Sequence, residues 1–412
     1  MKKITLIFAG MISAFSINAQ VKDTVSTGPG YVNGVYYSLE NDEVHTVEAA
    51  NWDIAFQVGG SMGSSIRTNG GHGIELYNYP NGDISDWSSL DTAGLFGWKK
   101  YYNSDSTWFK GAFDQTSSGM MDLGWGKYSM ITHYVTGDSI FIVKLQDETY
   151  KKFLIDRLQS GVYYFKYADL DGSNEVLDTL KKADYSSKTF GYYSIQNGTE
   201  IDREPDNTSW DLLFTKYGQA VTPTYYMGVS GVLANQDVSV NKVSGVHYQD
   251  ADTLSTPFSS SMTGIGYNWK SLNYQTYQYA AQDSLTYFVK SKAGDLWKIA
   301  FEGFGGSSNG NYIFSKEKIL SVGMMESINV LDVSTYPNPT SDFLNIALHQ
   351  KDNEDLNVTV FNMSGSLVYS EIFAGTSGVN NLQLSVGEYS KGLYLVNVES
   401  QKASVQTRFI VK

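Results

Sequence analysis

Trp52-Asp53-Ile54-Ala55-Phe56 is written a second time as Trp210-Asp211-Leu212-Leu213-Phe214. In both copies large apolar residues alternate with small or polar ones, the period of a half-buried strand. The Trp of such a strand anchors a core, and the Asp caps a turn or accepts backbone donors. Upstream of each copy stands a tyrosine pair, Tyr36-Tyr37-Ser38-Leu39 and Tyr192-Tyr193-Ser194-Ile195, at nearly equal distance. Downstream, Gly124-Trp125-Gly126-Lys127 precedes the apolar run Ser139 to Leu145, and Asn268-Trp269-Lys270 precedes Ser284 to Lys290. Four landmarks in the same order make an internal duplication, with copies expected at 20–175 and 176–327. The run ending at Leu145, the polar turn Gln146-Asp147-Glu148-Thr149-Tyr150 and Phe153-Leu154-Ile155 read as a hairpin.

Composition agrees with strands. The 412 residues include 30 Tyr, 20 Phe, 8 Trp and 39 Gly against 7 Pro, which favours aromatic and β-branched strands joined by glycine turns. The expected fold class is all-β, with helix limited to a short turn near Asp86 to Leu90. There is no Cys, so stability must come from core burial. The excess of 43 acidic over 30 basic side chains, a net charge of -13, repels phosphate backbones and argues against nucleic acid as a partner.

The two ends carry addresses. Met1-Lys2-Lys3, an apolar stretch from Ile4 to Ile17 and then Asn18-Ala19 read as a signal peptide over 1–19, cut before Gln20. No later segment offers the roughly 18–20 consecutive apolar residues of a membrane helix. Near residues 328–335 the aromatic-rich body gives way through a linker to a module at 336–412. There Leu344, Ile346 and Leu348, then Leu382, Leu384 and Val386, then Tyr394, Val396 and Val398 alternate with polar or small residues, as in a small immunoglobulin-like β-sandwich. Tyr336-Pro337-Asn338-Pro339-Thr340, Asp342-Phe343-Leu344-Asn345-Ile346, Val360-Phe361-Asn362-Met363-Ser364-Gly365, Lys391-Gly392-Leu393-Tyr394 and the final Lys412 resemble the type A sorting domain of type IX secretion. The resemblance implies recognition by the type IX machinery through 336–412, and a destination in the medium or on the outer-membrane surface, reached via the periplasm.

Trp52 to Phe56, Ile66-Arg67-Thr68-Asn69-Gly70-Gly71, Gly124-Trp125 and a hairpin ending in Tyr163-Tyr164-Phe165-Lys166-Tyr167 resemble the HmuY haem-binding family. In the second copy, Tyr225 to Gly231 stands where Arg-Thr-Asn-Gly-Gly is expected. The resemblance implies two tandem β-rich domains that capture haem between loops, with two protein side chains on the iron, and contact with haem or a haem-carrying host protein. Imidazole and thioether are both donors to haem iron. Met120 and Met121 just before Gly124-Trp125, His133 just after it, and His72 beside Gly70-Gly71 are the candidate ligands. Arg67 is a candidate for pairing with a haem propionate, or for bracing Asp53 of its own strand. The second copy offers Met262, and an aromatic, Tyr277, near the position of His133.

No metal-protease helix, nucleophile elbow, phosphate loop or dinucleotide fingerprint occurs, so no enzyme is expected. Asp169-Leu170-Asp171-Gly172-Ser173-Asn174-Glu175 has the acidic look of a calcium loop, but its Gly comes too early for an EF-hand. The competing function is a surface adhesion or glycan-binding module on the same scaffold, with Tyr and Trp stacking on sugars.

Overall fold

The computed structural model describes residues 20–60, 63–222, 225–253, 256–320, 330–350, 353–363, 365–399 and 404–412. The expected signal peptide, 1–19, lies outside the described residues. The fold is all-β, as the composition predicts. Its one described α-helix is Gly306–Asn309, and the helical turn expected near Asp86 is a 3-10 turn over Ile84–Ser88, capped by Asp83. The chain forms two compact units, a body up to Ile319 and a tail from Leu320.

The two largest hydrophobic cores of the body are each completed by the other copy. Around Trp52 a four-stranded sheet runs Thr199–Ile201, Phe190–Ser194, Ile54–Gln57, Ile66–Thr68. Around Trp210 the matching sheet runs Asp42–Glu48, Asn33–Ser38, Leu212–Thr222, Tyr225–Ala234. The Tyr192 strand therefore pairs with the Trp52 strand, and the Tyr36 strand with the Trp210 strand. The exchange continues in the second sheet of each lobe. Val176–Lys181 pairs with Val162–Asp169, and Val21–Ser26 pairs with Asn311–Leu320. The cut expected at 175/176 thus separates sequence repeats and not folded units, because each copy spends its first three strands on the other. One core joins Ile54, Phe56, Trp125, Phe153 and Phe165 to Tyr193 and Ile195, and the other joins Val35, Tyr37 and Leu39 to Phe214, Trp269 and Phe314. Each buried ring removes roughly 150–250 Å² from water, worth about 4–6 kcal/mol at about 25 cal/mol per Å².

Each landmark performs the same task twice. The Asp53 amide donates to Tyr193 O at 3.0 Å and the Asp211 amide to Tyr37 O at 2.8 Å. Asp53 Oδ2 accepts from Ser194 Oγ and the Gln196 amide, and the Asp211 carboxylate from the Leu39 and Lys292 amides. Burial pushes both carboxyl pKa values up, opposed by those hydrogen bonds. Trp52 meets Tyr192 edge-on at 5.0 Å, and Tyr36 meets Trp210 in the same way at 5.0 Å. Asn69 donates to Ala49 O and Trp52 O, and Asn235 to Asn207 O and Trp210 O. The element matching Arg67-Thr68-Asn69 is therefore Leu233-Ala234-Asn235. Tyr225 to Gly231 is the earlier part of the same, longer strand, and only the Asn is retained.

The tail is a sandwich of two sheets, Val330–Tyr336, Phe343–Gln350, Gly378–Ser385 against Leu367–Ala374, Asp355–Asn362, Gly392–Glu399, Ser404–Val411. Leu344, Ile346 and Leu348 fill it against Val358, Val360, Val396 and Val398, so the alternation read in the sequence is the inward face. The expected linker, 328–335, is strand from Val330 onward, hydrogen-bonded to Phe343–Gln350. Residues 328 and 329 lie outside the described residues.

Candidate functional site

The reciprocal exchange creates a cleft within the body where the two Trp-Asp sheets meet. Trp52, Trp108 and Tyr192 wall it from the first lobe, Leu213, Tyr217 and Leu233 from the second, and Arg67, Arg203 and Lys216 supply its positive charge. Its internal volume is about 70 Å³. Gly71 closes it on one side. A Cβ there would lie 2.6 Å from Tyr217 Cα, so the Gly70-Gly71 turn rests directly on the backbone of the second lobe.

Arg67 does not reach Asp53. Its guanidinium, 7% exposed, donates to Thr107 O at 2.8 Å, Trp108 O at 2.9 Å and Ser104 O at 3.0 Å, and stacks on the Trp108 ring at 5.4 Å. Burial pulls its pKa down to about 10, which leaves it charged at neutral pH. Arg67 thereby pins the 104–108 loop, and Trp108 carries that loop across to the second lobe by donating from Nε1 to Ala234 O at 2.8 Å.

His72 ends the glycine turn whose Gly70 and Gly71 line the cleft, without lining it itself, and its Nε2 is buried without a partner. Burial lowers its pKa to about 4, and the cations of Lys216 and Arg203 push it the same way, so it is neutral at neutral pH. Met120, Met121 and His133 lie elsewhere, together on one small tip. The Tyr128 amide donates to Met121 O at 2.8 Å, and the Tyr128 hydroxyl meets His133 Nδ1 at 2.9 Å. Met120 is 90% exposed, as is the apolar Ile131 nearby at 92%. Of the five sequence candidates, Arg67 lines the cleft, His72 stands next to it on the glycine turn, and Met120, Met121 and His133 are on the tip. Tyr277 holds the place of His133 in the second lobe, both residues having left-handed backbone (φ 55° and 59°). Met262 is buried and touches the Arg67 guanidinium through Sδ at 3.9 Å.

Sequence reading missed the residues that give the cleft its charge. Arg203 is 7% exposed and lies over Tyr192 at 5.0 Å and Trp52 at 5.6 Å. Its Nη2 donates to Glu48 O at 3.0 Å, while its Nε is buried without a partner. The Lys216 ammonium has no hydrogen bond or ion pair among the described residues. Next to Arg203, burial raises the Glu204 pKa to about 7, opposed by hydrogen bonds from the Thr189 and Phe190 amides. The one signal available was the placement of Arg203 and Glu204 just after a tyrosine-pair hairpin, the position from which the exchanged strand returns.

The acidic run at Asp169 closes on itself. Asp169 accepts from Lys151 and Asn174, Asp171 from Ser173, and Glu175 from Trp87 Nε1. Among the described residues no group of three or more His, Asp or Glu could hold a metal ion, and no helix is long and apolar enough to cross a membrane.

Residues 334–412 match the family described as a secretion system C-terminal sorting domain. No curated protein matches the chain. Among solved structures, the chain is similar to dimeric latent PorU from Porphyromonas gingivalis at 10% identity and a TM-score of 0.18, over 84% of this chain and 31% of that one. The chain spans about a third of the length of that protein, and so weak a likeness bears on nothing further. The tail is a type IX sorting domain, and the chain is exported to the cell surface or secreted.

Proposed function

We propose that the exported body is a binding protein and not an enzyme, and that it captures its ligand in the cleft between its two lobes. One observation carries this reading. Arg67 and Arg203, both buried, and Lys216 line a single cavity, and none of the three forms an ion pair among the described residues. Among the described residues Arg203 Nε is buried without an acceptor and the half-buried Lys216 ammonium has none, and leaving such charged donors unmet is costly, so a ligand that supplies acceptors is stabilised there. The aromatic walls of Trp52, Trp108 and Tyr192 supply contact area around that charge. Titrating candidate ligands into the mature chain while following tryptophan fluorescence tests this, since Trp52 and Trp108 both line the cleft. A saturable change lost in Lys216→Met supports it, and an indifferent Lys216→Met refutes it.

Haem capture is the second reading, and the exposed tip is what favours it. Thioether and imidazole donors stand together there beside apolar Met130 and Ile131. The cleft itself does not fit haem, because an internal volume of about 70 Å³ holds a few waters and cannot cover a macrocycle. On this reading haemin added to the mature chain gives a Soret band that Met121→Ala or His133→Ala shifts or abolishes. No band at micromolar protein ends it.

A further inference from the structure

We infer that the cleft takes the carboxylate of a small sugar acid, such as a uronate, with Arg203 and Lys216 as its anchors. This rests on reading the cleft as the ligand site and names the chemistry of what enters.

Arg67 contributes chiefly positive field, because both terminal nitrogens of its guanidinium are engaged, by three backbone carbonyls and the Met262 sulfur. Arg203 differs. One nitrogen is committed to Glu48 O, and Nε–H remains without an acceptor on a side chain that is 93% buried. Lys216 supplies a second uncommitted donor on the same cavity. Both cations line the same cavity, and both act on His72 to lower its pKa. The one carboxylate in the lining, Asp105, accepts from Gln219 Nε2 and the Ala220 amide and acts on Arg67 through its charge, while among the described residues it forms no ion pair with Arg203 or Lys216.

The donor set suits a monoanion. A carboxylate has two oxygens, and Arg203 Nε–H and the Lys216 ammonium offer one charge-assisted hydrogen bond to each. A phosphate dianion calls for more donors than these two provide. The cavity, about 70 Å³, has room for a carboxylate group and little else, so the remainder of the ligand lies toward the mouth. Trp52 is only partly buried there, and ring faces suit the C–H side of a sugar. A chain of net charge -13 would repel an acidic ligand at long range, so a local cluster of three cations is the feature that admits one.

Isothermal titration of the mature full-length chain with glucuronate, glucose, acetate and inorganic phosphate tests this. Glucuronate is expected to bind at least tenfold more tightly than each of the other three, and Lys216→Met to weaken it at least tenfold. Arg203→Lys, which keeps the charge but loses Nε–H, is expected to weaken it comparably, and Lys216→Met serves alone if the Arg203 variant does not fold. Glucose binding as well as glucuronate would overturn the carboxylate and keep the cleft as a sugar site. Acetate or phosphate binding as well as glucuronate would overturn the sugar acid while leaving an anion site. No binding of any probe overturns this inference, while a cleft that takes some other ligand in the fluorescence assay leaves the broader reading standing.

Discussion

The two lobes carry the same skeleton and different chemistry at equivalent points. Trp52, Asp53 and Asn69 in one do the work of Trp210, Asp211 and Asn235 in the other, down to which carbonyls the Asn amide closes. Arg67 stands where the second lobe has Leu233, and both line the cleft. Trp125 donates from Nε1 to Ser64 O at 3.0 Å, whereas Trp269, equally buried, stacks on Phe301 at 4.0 Å with its Nε1 unpaired. Residues that close the strand exchange have kept their identity in both lobes. Residues facing the cleft have diverged, which is how a near-symmetric frame holds an asymmetric site.

The comparison breaks most visibly at the central tryptophans. Trp125→Ala and Trp269→Ala are each expected to cost about 3–5 kcal/mol in urea unfolding, since both side chains are fully enclosed. A much smaller loss for either would mean its lobe is not built around that ring. Arg67→Leu makes the first lobe imitate the second. It leaves the Ser104, Thr107 and Trp108 carbonyls without their donor and is expected to cost about 2–3 kcal/mol. A neutral outcome would show that the loop does not depend on the guanidinium. Trp125→Phe should be more costly than Trp269→Phe by about 1–2 kcal/mol, because only the first loses a hydrogen bond.

The smallest effect is a slope with pH. The folded His72 has its pKa near 4, against an ordinary value of 6.5. As pH falls from about 6.5 to about 4 the unfolded chain takes up a proton that the folded chain refuses, so His72 makes stability fall through that window. Asp114 and Glu204, whose pKa values burial raises to about 6 and about 7, act in the opposite sense. The informative quantity is therefore the difference in melting temperature between parent and His72→Phe. The parent is expected to lose ground relative to the variant as pH drops, and a constant difference would contradict a buried neutral imidazole.

Much of the frame was legible in the sequence because its signals are local. Period-two alternation marks the inward face of the tail strands, and Trp-Asp marks the strand each core is built on. The exchange was not legible. Tyr36-Tyr37 and Tyr192-Tyr193 carry the same pattern, so either could pair with either Trp-Asp strand, and alternation does not say which partner lies alongside. Asn235 was not legible because Leu233-Ala234-Asn235 shares only its last residue with Arg67-Thr68-Asn69, the structural requirement being only an amide that closes two carbonyls behind the Trp. Arg203 and Lys216 read as ordinary charges in polar runs. Their significance arises only when the exchanged strands bring them to one cavity, a consequence of topology.

That topology is open to a direct test by fragment unfolding. Residues 51–204 contain the first lobe with the strands it borrows, whereas 20–175 contain the first sequence copy, which lacks Phe190–Ser194 and leaves Asn33–Ser38 without its partner. Urea denaturation of the two purified fragments is expected to give a cooperative transition for 51–204 and none for 20–175. A cooperative transition from 20–175, with none from 51–204, would contradict the exchange and with it the cleft.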